Sequence, residues 1–372
     1  MPDVVVALCR AGFEAEAWAD LAAIARAAGV ALDAPASPCP AISIAGAPSL
    51  VVAAWRRAAR EHPPIFIRSL FTGSGPHAIA TRDAARPDRI APLVAAFVAL
   101  AQRPGHAPPW LAPWIEYPDT NDGKALSTLA SALDARLAAA LRERGLVAET
   151  TTLRAHVLLV DGATAYVGTS DPSTGSRWPL GIPRLRVPRE APSRSTHKLA
   201  EAIAVFLGER ESELLHAGQS AVDLGAAPGG WTWLLVDRGL QVTAVDNGAL
   251  APALARDTNV EHVRADGLKW RPRRPVHWLT CDIVERPVRV AALVGEWIAS
   301  GIAESAIFNL KLPMKKRHEE VARCAALIGE RLAAAGVEAT LAFRQLYHDR
   351  EEVTGYVARR PPHSSGRMPR RR

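Results

Sequence analysis

The stretch Asp223-Leu-Gly-Ala-Ala-Pro-Gly-Gly-Trp231 indicates the fold of the second half of this chain. It begins where the apolar run 221–224, a predicted strand, gives way to a helical pattern. Gly225, Gly229 and Gly230 would allow the backbone to approach a ligand closely, and the start of the helix offers unpaired amide hydrogens and a partial positive charge to an anionic group. The spacing differs from Gly-x-Gly-x-x-Gly, which disfavours a dinucleotide pyrophosphate site. A turn with a purely structural role is the alternative at this point.

Acidic residues stand at the ends of the next two predicted strands. Asp246 follows the second strand about 20 residues after the glycine loop, where a carboxylate can accept hydrogen bonds from both ribose hydroxyls of an adenosine. Asp266 follows the third strand and can accept hydrogen bonds from an adenine amino group. Each alone would more often cap a turn or a helix, but with Asp223 they make three acids at successive strand ends. The combination predicts an S-adenosylmethionine site in which the glycine loop holds the amino-acid end of the cofactor.

Strands and helices alternate from Ser195 onward. This alternation predicts a Rossmann-like α/β domain with a doubly wound, mostly parallel sheet, whose ligands lie at the carboxyl ends of the strands. The last two strands follow one long helix and are expected to form an antiparallel edge. The predicted strands are 221–224, 242–245, 260–263, 276–280, 306–312, 339–346 and 353–358.

Two residues bear on the kind of group that would receive a methyl. Asp282 ends the fourth strand without the Pro-Pro-aromatic sequence that usually follows in enzymes that methylate base amino groups, which favours a hydroxyl acceptor. Lys311 lies in an otherwise apolar strand, where desolvation would lower the pKa of its amine from a reference of about 10.4. A deprotonated lysine can accept the proton of a ribose hydroxyl as the oxygen attacks the methyl group. The alternative is a lysine that extends to solvent at the strand end.

The first half of the chain has a mixed α+β pattern without a catalytic motif. An apolar run at 4–8 predicts a strand, and a helical pattern from Phe13 to Ile24 follows it. Between 172 and 195 repeated prolines exclude a continuous helix or a central strand, so a linker is predicted there. The other predicted elements are a strand near 65–71, helices at 90–100 and 124–145, and a hairpin of strands 156–160 and 163–167 around Asp161-Gly162.

Length and composition restrict the class of protein. A chain of 372 residues, 48% of them hydrophobic, suffices for two or three folded domains. We expect a cytoplasmic protein without a membrane partner, because no apolar run approaches the roughly 20 residues of a membrane span and the N-terminus lacks a signal-peptide pattern. The four cysteines lack the paired spacing of a disulfide framework or a zinc site, so no metal is expected.

The net charge of +7 is concentrated at the C-terminus. Residues 359–372 carry six arginines and no acid, so the rest of the chain is nearly neutral. A basic tail rich in proline, serine and glycine is expected to be disordered, and it can bind RNA phosphates without reading the base sequence. A solvated tail with no specific role is equally compatible with this composition.

Five motifs together resemble those of the bacterial ribosomal RNA large subunit methyltransferase M family. The resemblance covers about residues 178–358 and implies methylation, with S-adenosylmethionine, of the 2'-hydroxyl of a cytidine in 23S rRNA. It also implies a Lys-Asp-Lys-Glu tetrad shared with FtsJ-type 2'-O-methyltransferases. The motifs are Ser193-Arg-Ser-Thr196, the stretch 223–231, Val245-Asp-Asn-Gly248, Phe308-Asn-Leu-Lys-Leu-Pro-Met-Lys-Lys-Arg317 and Gln345-Leu-Tyr-His-Asp-Arg-Glu-Glu-Val353.

The resemblance implies a role for individual positions. Its tetrad falls on Lys198, Asp282, Lys311 and Glu352, with Lys311 as the base, and Glu351 is a rival because two adjacent glutamates leave the alignment ambiguous by one residue. Lys198 would keep Lys311 partly neutral by like-charge repulsion, and the two acids would orient the lysines. The positions expected to contact the cofactor or line its site are Ser195, Ala227, Pro228, Gly229, Gly230, Asp246, Asp266 and Asp282. The family often has cysteine where this chain has Ala227, a change that a contact through the backbone should tolerate.

The resemblance further implies several domains and an RNA partner. The partner would be 23S rRNA or a large-subunit assembly intermediate, bound by a monomer. Rival hypotheses are a methyltransferase that acts on a base or a protein, and an RNA-binding ribosome-assembly module with a vestigial cofactor site. The expected domains are a ferredoxin-like subdomain (1–60), a THUMP-like RNA-binding domain (61–170), a Pro-rich linker (171–194), the methyltransferase domain (195–358) and a basic tail (359–372).

Overall fold

The computed structural model describes residues 2–80 and 87–360. The chain divides between Pro183 and Arg184 into two compact units. This point lies inside the predicted Pro-rich linker, where the backbone forms a short 3-10 turn at Pro179–Gly181 and otherwise neither helix nor strand until Thr196. The predicted disorder of the basic tail concerns residues that, from 361 onward, lie outside the described part of the chain.

The N-terminal unit contains one six-stranded sheet with helices. Its strand order is β2-β1-β3-β6-β5-β4, with antiparallel pairs throughout except for the parallel pair β4 and β5. Its strands are β1 (Asp3–Leu8), β2 (Ile42–Gly46), β3 (Ser69–Ala78), β4 (Leu111–Glu116), β5 (Arg154–Leu159) and β6 (Thr164–Ser170). Its helices are α1 (Glu14–Ala28), α2 (Val52–Glu61), α3 (Ile90–Ala101), α4 (Asn121–Lys124) and α5 (Ser127–Arg142).

The sheet of this unit continues across the predicted boundary at residue 60. Strand β3 pairs with β1 on one side and with β6 on the other. One sheet thus spans both predicted parts, and the division at residue 60 into a ferredoxin-like and a THUMP-like domain stays a prediction. The hairpin predicted around Asp161-Gly162 is confirmed, since β5 and β6 are antiparallel neighbours.

Local hydrogen bonds explain where the first half departs from the predicted elements. The strand expected near 65–71 begins at Ser69, because the amides of Ile65, Phe66 and Ile67 donate to the Asp20 carboxylate at 2.9, 2.6 and 3.3 Å instead of to a neighbouring strand. The helix expected over 124–145 is two helices, α4 and α5. Strand β4 was not predicted; it contains a proline, which is tolerated because β4 lies at the sheet edge.

The C-terminal unit is a Rossmann-like sheet of seven strands with helices. Its strands are β7 (Ser220–Leu224), β8 (Gln241–Val245), β9 (Val260–Val263), β10 (Val276–Cys281), β11 (Ala303–Lys311), β12 (Ala339–Arg344) and β13 (Glu352–Arg359). Its helices are α6 (Thr196–Phe206), α7 (Glu211–Leu214), α8 (Gly230–Asp237), α9 (Pro287–Ala299) and α10 (Arg317–Ala334). Each predicted strand of this half is present within a few residues, and the predicted fold class is confirmed.

The strand order of this sheet creates a crevice beside its first strand. The order is β12-β13-β11-β10-β7-β8-β9, in which β11, β10, β7, β8 and β9 are parallel and β13 is antiparallel to both neighbours, as expected for the edge pair. From β7 the chain builds outward to β9 and then returns to add β10 and β11 on the other side. The direction of winding therefore changes between β7 and β10. Ligands of open α/β sheets bind at such a switch point, beyond the carboxyl ends of the strands.

Buried apolar side chains hold each unit together. In the N-terminal unit α1 buries Ala17, Leu21 and Ile24 on one face, and it ends at Gly29, whose left-handed φ of 66° allows its amide to bond back to the last turn. In the C-terminal unit Trp231 and Trp278 belong to a core cluster between the sheet and helices α6 and α8.

The cysteines are unpaired, and most of them are buried. Cys9, Cys281 and Cys324 are buried, Cys39 is partly exposed, and all four are free thiols. Within residues 2–80 and 87–360, no helix is both long enough and apolar enough to cross a membrane. In the same residues no group of three or more His, Cys, Asp or Glu side chains is arranged to hold a metal ion.

Candidate active site

The glycine loop and the predicted acids lie at the carboxyl end of the parallel strands in the C-terminal sheet. Strands β7, β8 and β10 end side by side, and the residues that follow them are linked through the backbone. The Asp282 amide donates to the Leu224 carbonyl at 3.1 Å, the Gly225 amide to Val245 at 3.0 Å, and the Asp246 amide to Val263 at 3.1 Å. The glycine loop, Asp246 and Asp282 are therefore neighbours at the carboxyl end of the sheet.

The glycine loop needs its glycines for defined reasons. Gly225 and Gly229 have φ of 79° and 112°, in the left-handed region that side chains disfavour. A Cβ on Gly229 would also lie 2.3 Å from a methyl of Leu254. A Cβ on Gly230, the first residue of α8, would lie 2.3 and 2.5 Å from the hydroxyls of Ser193 and Ser195. Side chains of the neighbouring segments thus pack directly against Gly229 and Gly230, and no larger residue fits at either position.

Asp246 and Ser195 both contact this loop. One Asp246 oxygen accepts from the Ala227 amide at 3.1 Å and the other from the Gly248 amide at 2.7 Å. The Ser195 carbonyl accepts from the Trp231 indole at 3.0 Å, and its hydroxyl lies 2.5 Å from that of Ser193. These contacts join the segment before α6, the loop after β7 and the end of β8.

The other two acids at strand ends differ from each other. Asp266 is about half exposed at 48%, with one oxygen bonded to the Leu268 amide at 3.0 Å. Asp223 is buried inside β7, where Thr232 and Thr280 donate to its carboxylate at 2.7 and 3.0 Å. Burial raises the pKa of Asp223 to about 6. Asp223 is therefore not accessible to a ligand; it braces α8 against the sheet.

Four charged side chains from distant parts of the chain converge next to this loop, and we call Lys198, Asp282, Lys311 and Glu352 the tetrad. The Lys311 ammonium donates to Asp282 Oδ1 at 2.5 Å and to Glu352 Oε2 at 2.8 Å. The Lys198 ammonium donates to the same Glu352 oxygen at 2.6 Å and lies 3.8 Å from Asp282 Oδ2. The structure brings all four predicted positions together, each from a different element or loop: α6, the end of β10, β11 and β13.

The electrostatics of the tetrad contradict one part of the sequence interpretation. Desolvation lowers the pKa of Lys311, but attraction to Asp282 and Glu352 and the hydrogen bonds to both outweigh it, so the pKa lies above the ordinary lysine value. The expectation that Lys198 would keep Lys311 partly neutral was wrong for this arrangement. The reason is that Lys198 is itself neutralised by Glu352, while Lys311 has two carboxylates. Desolvation likewise raises the pKa of Glu352, but the two lysines outweigh it and lower that pKa.

The structure separates the two adjacent glutamates. Glu352 contacts both lysines of the tetrad. The Glu351 side chain is 57% exposed, and its carboxylate pairs with Arg317 at 2.7 Å instead of with the tetrad lysines. Glu351 lies just before β13, whereas Glu352 is the first residue of that strand and the direct partner of Lys311 on β11.

Two residues around the tetrad, Asn309 and Glu201, were not predicted from the sequence. Asn309 lies two positions before Lys311 on β11, and it donates to both tetrad carboxylates. Its position two residues before the candidate base, on the same face of the strand, is the sequence feature that could have indicated it. Glu201, one helical turn after Lys198, accepts from the amides of Tyr347 and His348 at 2.7 and 3.0 Å and so fastens the segment before β13 to α6.

The residues at this edge fit S-adenosylmethionine. A helix start without a side-chain cap suits the carboxylate of an amino acid, and carboxylates beyond the neighbouring strands suit hydroxyl and amino donors. The observation that carries the fit is that α8 begins at Gly229 and Gly230 with no side chain capping it, beside the Asp246 carboxylate that bonds the same loop.

Comparison with known proteins gives two family matches and close relatives. Residues 88–171 match the model described as "Ribosomal RNA large subunit methyltransferase M, N-terminal", and residues 191–330 match "FtsJ-like methyltransferase". The chain is 45% identical to Ribosomal RNA large subunit methyltransferase M of Methylococcus capsulatus over 361 residues, which cover 96% of this chain and 98% of the relative. It is also 45% identical to the protein of that name from Aromatoleum aromaticum over 362 residues, which cover 96% and 95%.

Among solved structures the chain is similar to Aeropyrum pernix fibrillarin in complex with S-adenosylmethionine. That likeness has 16% identity, a TM-score of 0.31, and covers 56% of this chain and 85% of the other, which is too little to support an inference. The FtsJ-like match and the sheet topology confirm the predicted Rossmann-like fold and S-adenosylmethionine as the cofactor.

Proposed function

The chain belongs to the ribosomal RNA large subunit methyltransferase M family, and we propose that it methylates the ribose 2'-hydroxyl of a cytidine in 23S rRNA. Methylation of ribosomal RNA is the activity that the family name states. The choice of a ribose 2'-hydroxyl as the methyl acceptor depends on one observation, the hydrogen-bonded convergence of the tetrad beside the glycine loop. A ribose hydroxyl is a weak nucleophile at neutral pH, and a positioned base is what such a site must add.

In this proposal Lys311 accepts the proton of the 2'-hydroxyl. When bound, S-adenosylmethionine supplies a methyl group on a positively charged sulfur. The hydroxyl oxygen gains that methyl, and the proton that it loses ends on Nζ of Lys311. Lys311 must be neutral before it can act, and the pKa above the ordinary lysine value means that only a small fraction is neutral near pH 7.

The other three tetrad residues place the base. Asp282 and Glu352 fix the position of the Lys311 nitrogen by accepting from it at 2.5 and 2.8 Å. Lys198 balances the second carboxylate, because it donates to the same Glu352 oxygen at 2.6 Å. With all four ionised the cluster is neutral, so a half-buried site carries no net charge.

The cofactor is assigned to the loop and the acids at the sheet edge. The start of α8 would hold the amino-acid end, Asp246 the ribose hydroxyls and Asp266 the adenine amino group. The positions proposed to contact it or line its site are Ser195, Ala227, Pro228, Gly229, Gly230, Asp246, Asp266 and Asp282.

The N-terminal unit is proposed to bind RNA. Its parts 1–60 and 61–170 are assigned as ferredoxin-like and THUMP-like, and the substrate is 23S rRNA or a large-subunit assembly intermediate bound by a monomer. The match of residues 88–171 to a family model supports this assignment.

The test is to locate the methyl group chemically. Purified chain is incubated with tritiated S-adenosylmethionine and with rRNA from a strain that lacks the gene, and the 23S rRNA is digested to nucleosides for mass spectrometry. We expect one labelled 2'-O-methylcytidine. Label on a base or on protein would support one of the rival methyltransferase hypotheses instead. A chain that binds the cofactor but transfers no methyl to any rRNA or precursor particle would support the ribosome-assembly module.

A further inference from the structure

Asn309 makes the same contacts to the tetrad carboxylates as the proposed base. Its side-chain nitrogen donates to Asp282 Oδ1 at 3.1 Å and to Glu352 Oε2 at 3.1 Å. These are the two oxygens that accept from the Lys311 ammonium. Asn309 is two residues before Lys311 on β11, so both side chains leave the same face of the strand. Two donors thus share two acceptors, and one of the donors cannot titrate.

We propose that Asn309 is a positioning residue that keeps the carboxylates of Asp282 and Glu352 in place while Lys311 is uncharged. The inference rests on the proposed role of Lys311 as the base. When Lys311 loses its proton, the attraction that draws the two carboxylates toward one nitrogen disappears, and their like charges repel. An amide keeps its two N–H donors in either state. Asn309 therefore preserves the geometry in the form of the enzyme that reacts.

The orientation of the Asn309 amide is determined by its surroundings. Thr354, its direct partner on β13, donates to Asn309 Oδ1 at 2.8 Å. A reversed amide would turn its carbonyl oxygen toward two carboxylates, which is repulsive. The Thr354 hydroxyl also lies 3.0 Å from Asp349 Oδ2, and burial raises the pKa of Asp349 to about 7. The chain from Asp349 through Thr354 to Asn309 thus connects a buried acid to the tetrad.

Burial assigns Asn309 a supporting role instead of a catalytic one. Its exposure is 0%, whereas the tetrad side chains keep between 15% and 23%. The amide accordingly cannot touch an RNA substrate. It acts on the reaction through Asp282 and Glu352.

The test measures single-turnover methyl transfer between pH 7 and pH 9.5 for the full chain with rRNA from the deletion strain. The variants are Asn309→Ala, which removes both donors, and Asn309→Asp, which replaces them by a third carboxylate. The matched control is Asn259→Ala, because the Asn259 side-chain oxygen accepts a solvent-exposed hydrogen bond from Gln241 Nε2 at the opposite end of the sheet. Cofactor affinity and the thermal unfolding midpoint are measured for each.

We expect Asn309→Ala to lower the transfer rate about 10- to 100-fold, the range for losing a hydrogen bond to a charged group. Cofactor affinity should change less than about threefold, and the fold-loss should be of the same size at every pH, because transfer at each pH goes through the neutral form of Lys311. Asn309→Asp should shift the pH profile to higher pH, since an added negative charge favours the charged lysine. Transfer by Asn309→Ala equal to that of Asn259→Ala, or a pH profile of Asn309→Asp that matches that of Asn309→Ala, would overturn the inference.

A second variant keeps the inference testable if Asn309→Ala is poorly folded. Thr354→Val removes the hydroxyl that orients the amide while it retains the side-chain shape, and it should cause a smaller loss of transfer rate with cofactor affinity nearly unchanged. Transfer by Thr354→Val equal to that of the unaltered chain would contradict the positioning role. If the unaltered chain methylates a base instead of a ribose, both the proposed function and this inference fail. If it methylates ribose and Asn309 variants behave like the control, only the positioning role fails.

Discussion

Each unit of this protein contains a network of acidic and basic side chains, and the two networks differ in their exposure to solvent. In the N-terminal unit the Glu116 carboxylate accepts from His156 Nδ1 at 2.7 Å, and His156 Nε2 lies 2.7 Å from the Ser170 hydroxyl. These are the residue types of a hydrolytic triad. The side chains of Glu116 and His156 are 0% exposed and Ser170 is buried, whereas the tetrad of the C-terminal unit keeps 15% to 23% of each side chain exposed.

The buried network holds the backbone in place. The second Glu116 oxygen accepts from the Leu180 amide at 2.6 Å and lies 3.4 Å from the Ser69 hydroxyl. The carboxylate thus fixes the 3-10 turn that ends the N-terminal unit. The tetrad has four charged side chains, and each of them is partly exposed. Solvent exposure, and not the residue types, distinguishes the tetrad from the network that stabilises the fold.

The strongest test of this contrast is the replacement of Lys311. Lys311→Ala should lower methyl transfer about 10²- to 10⁴-fold, the range attributed to general-base catalysis, and leave cofactor affinity nearly intact. Lys311→Arg should be equally inactive, because arginine keeps the charge but does not release a proton at accessible pH. The measurements are radiolabel transfer to rRNA and calorimetric binding of S-adenosylmethionine. Substantial activity in the arginine variant would mean that the position acts only through its charge.

The pH dependence gives the next largest effect. Because the pKa of Lys311 lies above its ordinary value, the neutral fraction should rise about tenfold for each pH unit through the neutral and mildly alkaline range. Single-turnover transfer should therefore increase about 100-fold from pH 7 to pH 9. A plateau that begins near pH 7 would show that a bound cofactor or RNA lowers the pKa of Lys311 below its ordinary value.

The adjacent glutamates offer a matched pair for the tetrad. Glu352→Gln should reduce transfer about 10- to 30-fold, because Lys198 and Lys311 lose a shared carboxylate that accepts from both. Glu351→Gln should remain within about twofold of the unaltered chain, since Glu351 is exposed and pairs with Arg317. Rates are compared at one pH with saturating cofactor. Equal losses in the two variants would show that position 352 has no special role.

The buried network should respond in stability and least in chemistry. His156→Ala should lower the free energy of unfolding of the N-terminal unit by about 2 to 4 kcal/mol, because it leaves a cavity and strands the Glu116 carboxylate. His62→Ala, at an exposed histidine, should change it by less than about 0.5 kcal/mol. Denaturant unfolding measures both, and cofactor affinity should stay within about twofold. A large loss of cofactor affinity in His156→Ala would contradict the purely structural role.

The C-terminal half could be predicted well because its signals are local. A parallel strand buried on both faces reads as a short apolar run, and a glycine loop between strand and helix follows from the backbone conformations that only glycine adopts readily. Asp246 and Asp266 could be placed because strand ends in a parallel sheet lie along one edge. The N-terminal half was harder. Its amides at Ile65 to Ile67 bond to Asp20, more than 40 residues away in the sequence, so the strand there begins later than its apolar pattern suggests.

The sequence by itself determined the fold class, the glycine loop between β7 and α8 and, through its motifs, the four positions that converge as the tetrad. Only the tertiary structure decided which of two adjacent glutamates faces the lysines, that Asp223 is a buried brace, and that Asn309 bridges both carboxylates. It also reversed the expected direction of the Lys311 pKa. The physical reason is that a strand's local pattern reports burial and periodicity, whereas a pKa and a hydrogen bond depend on which distant charges the fold brings within about 3 Å.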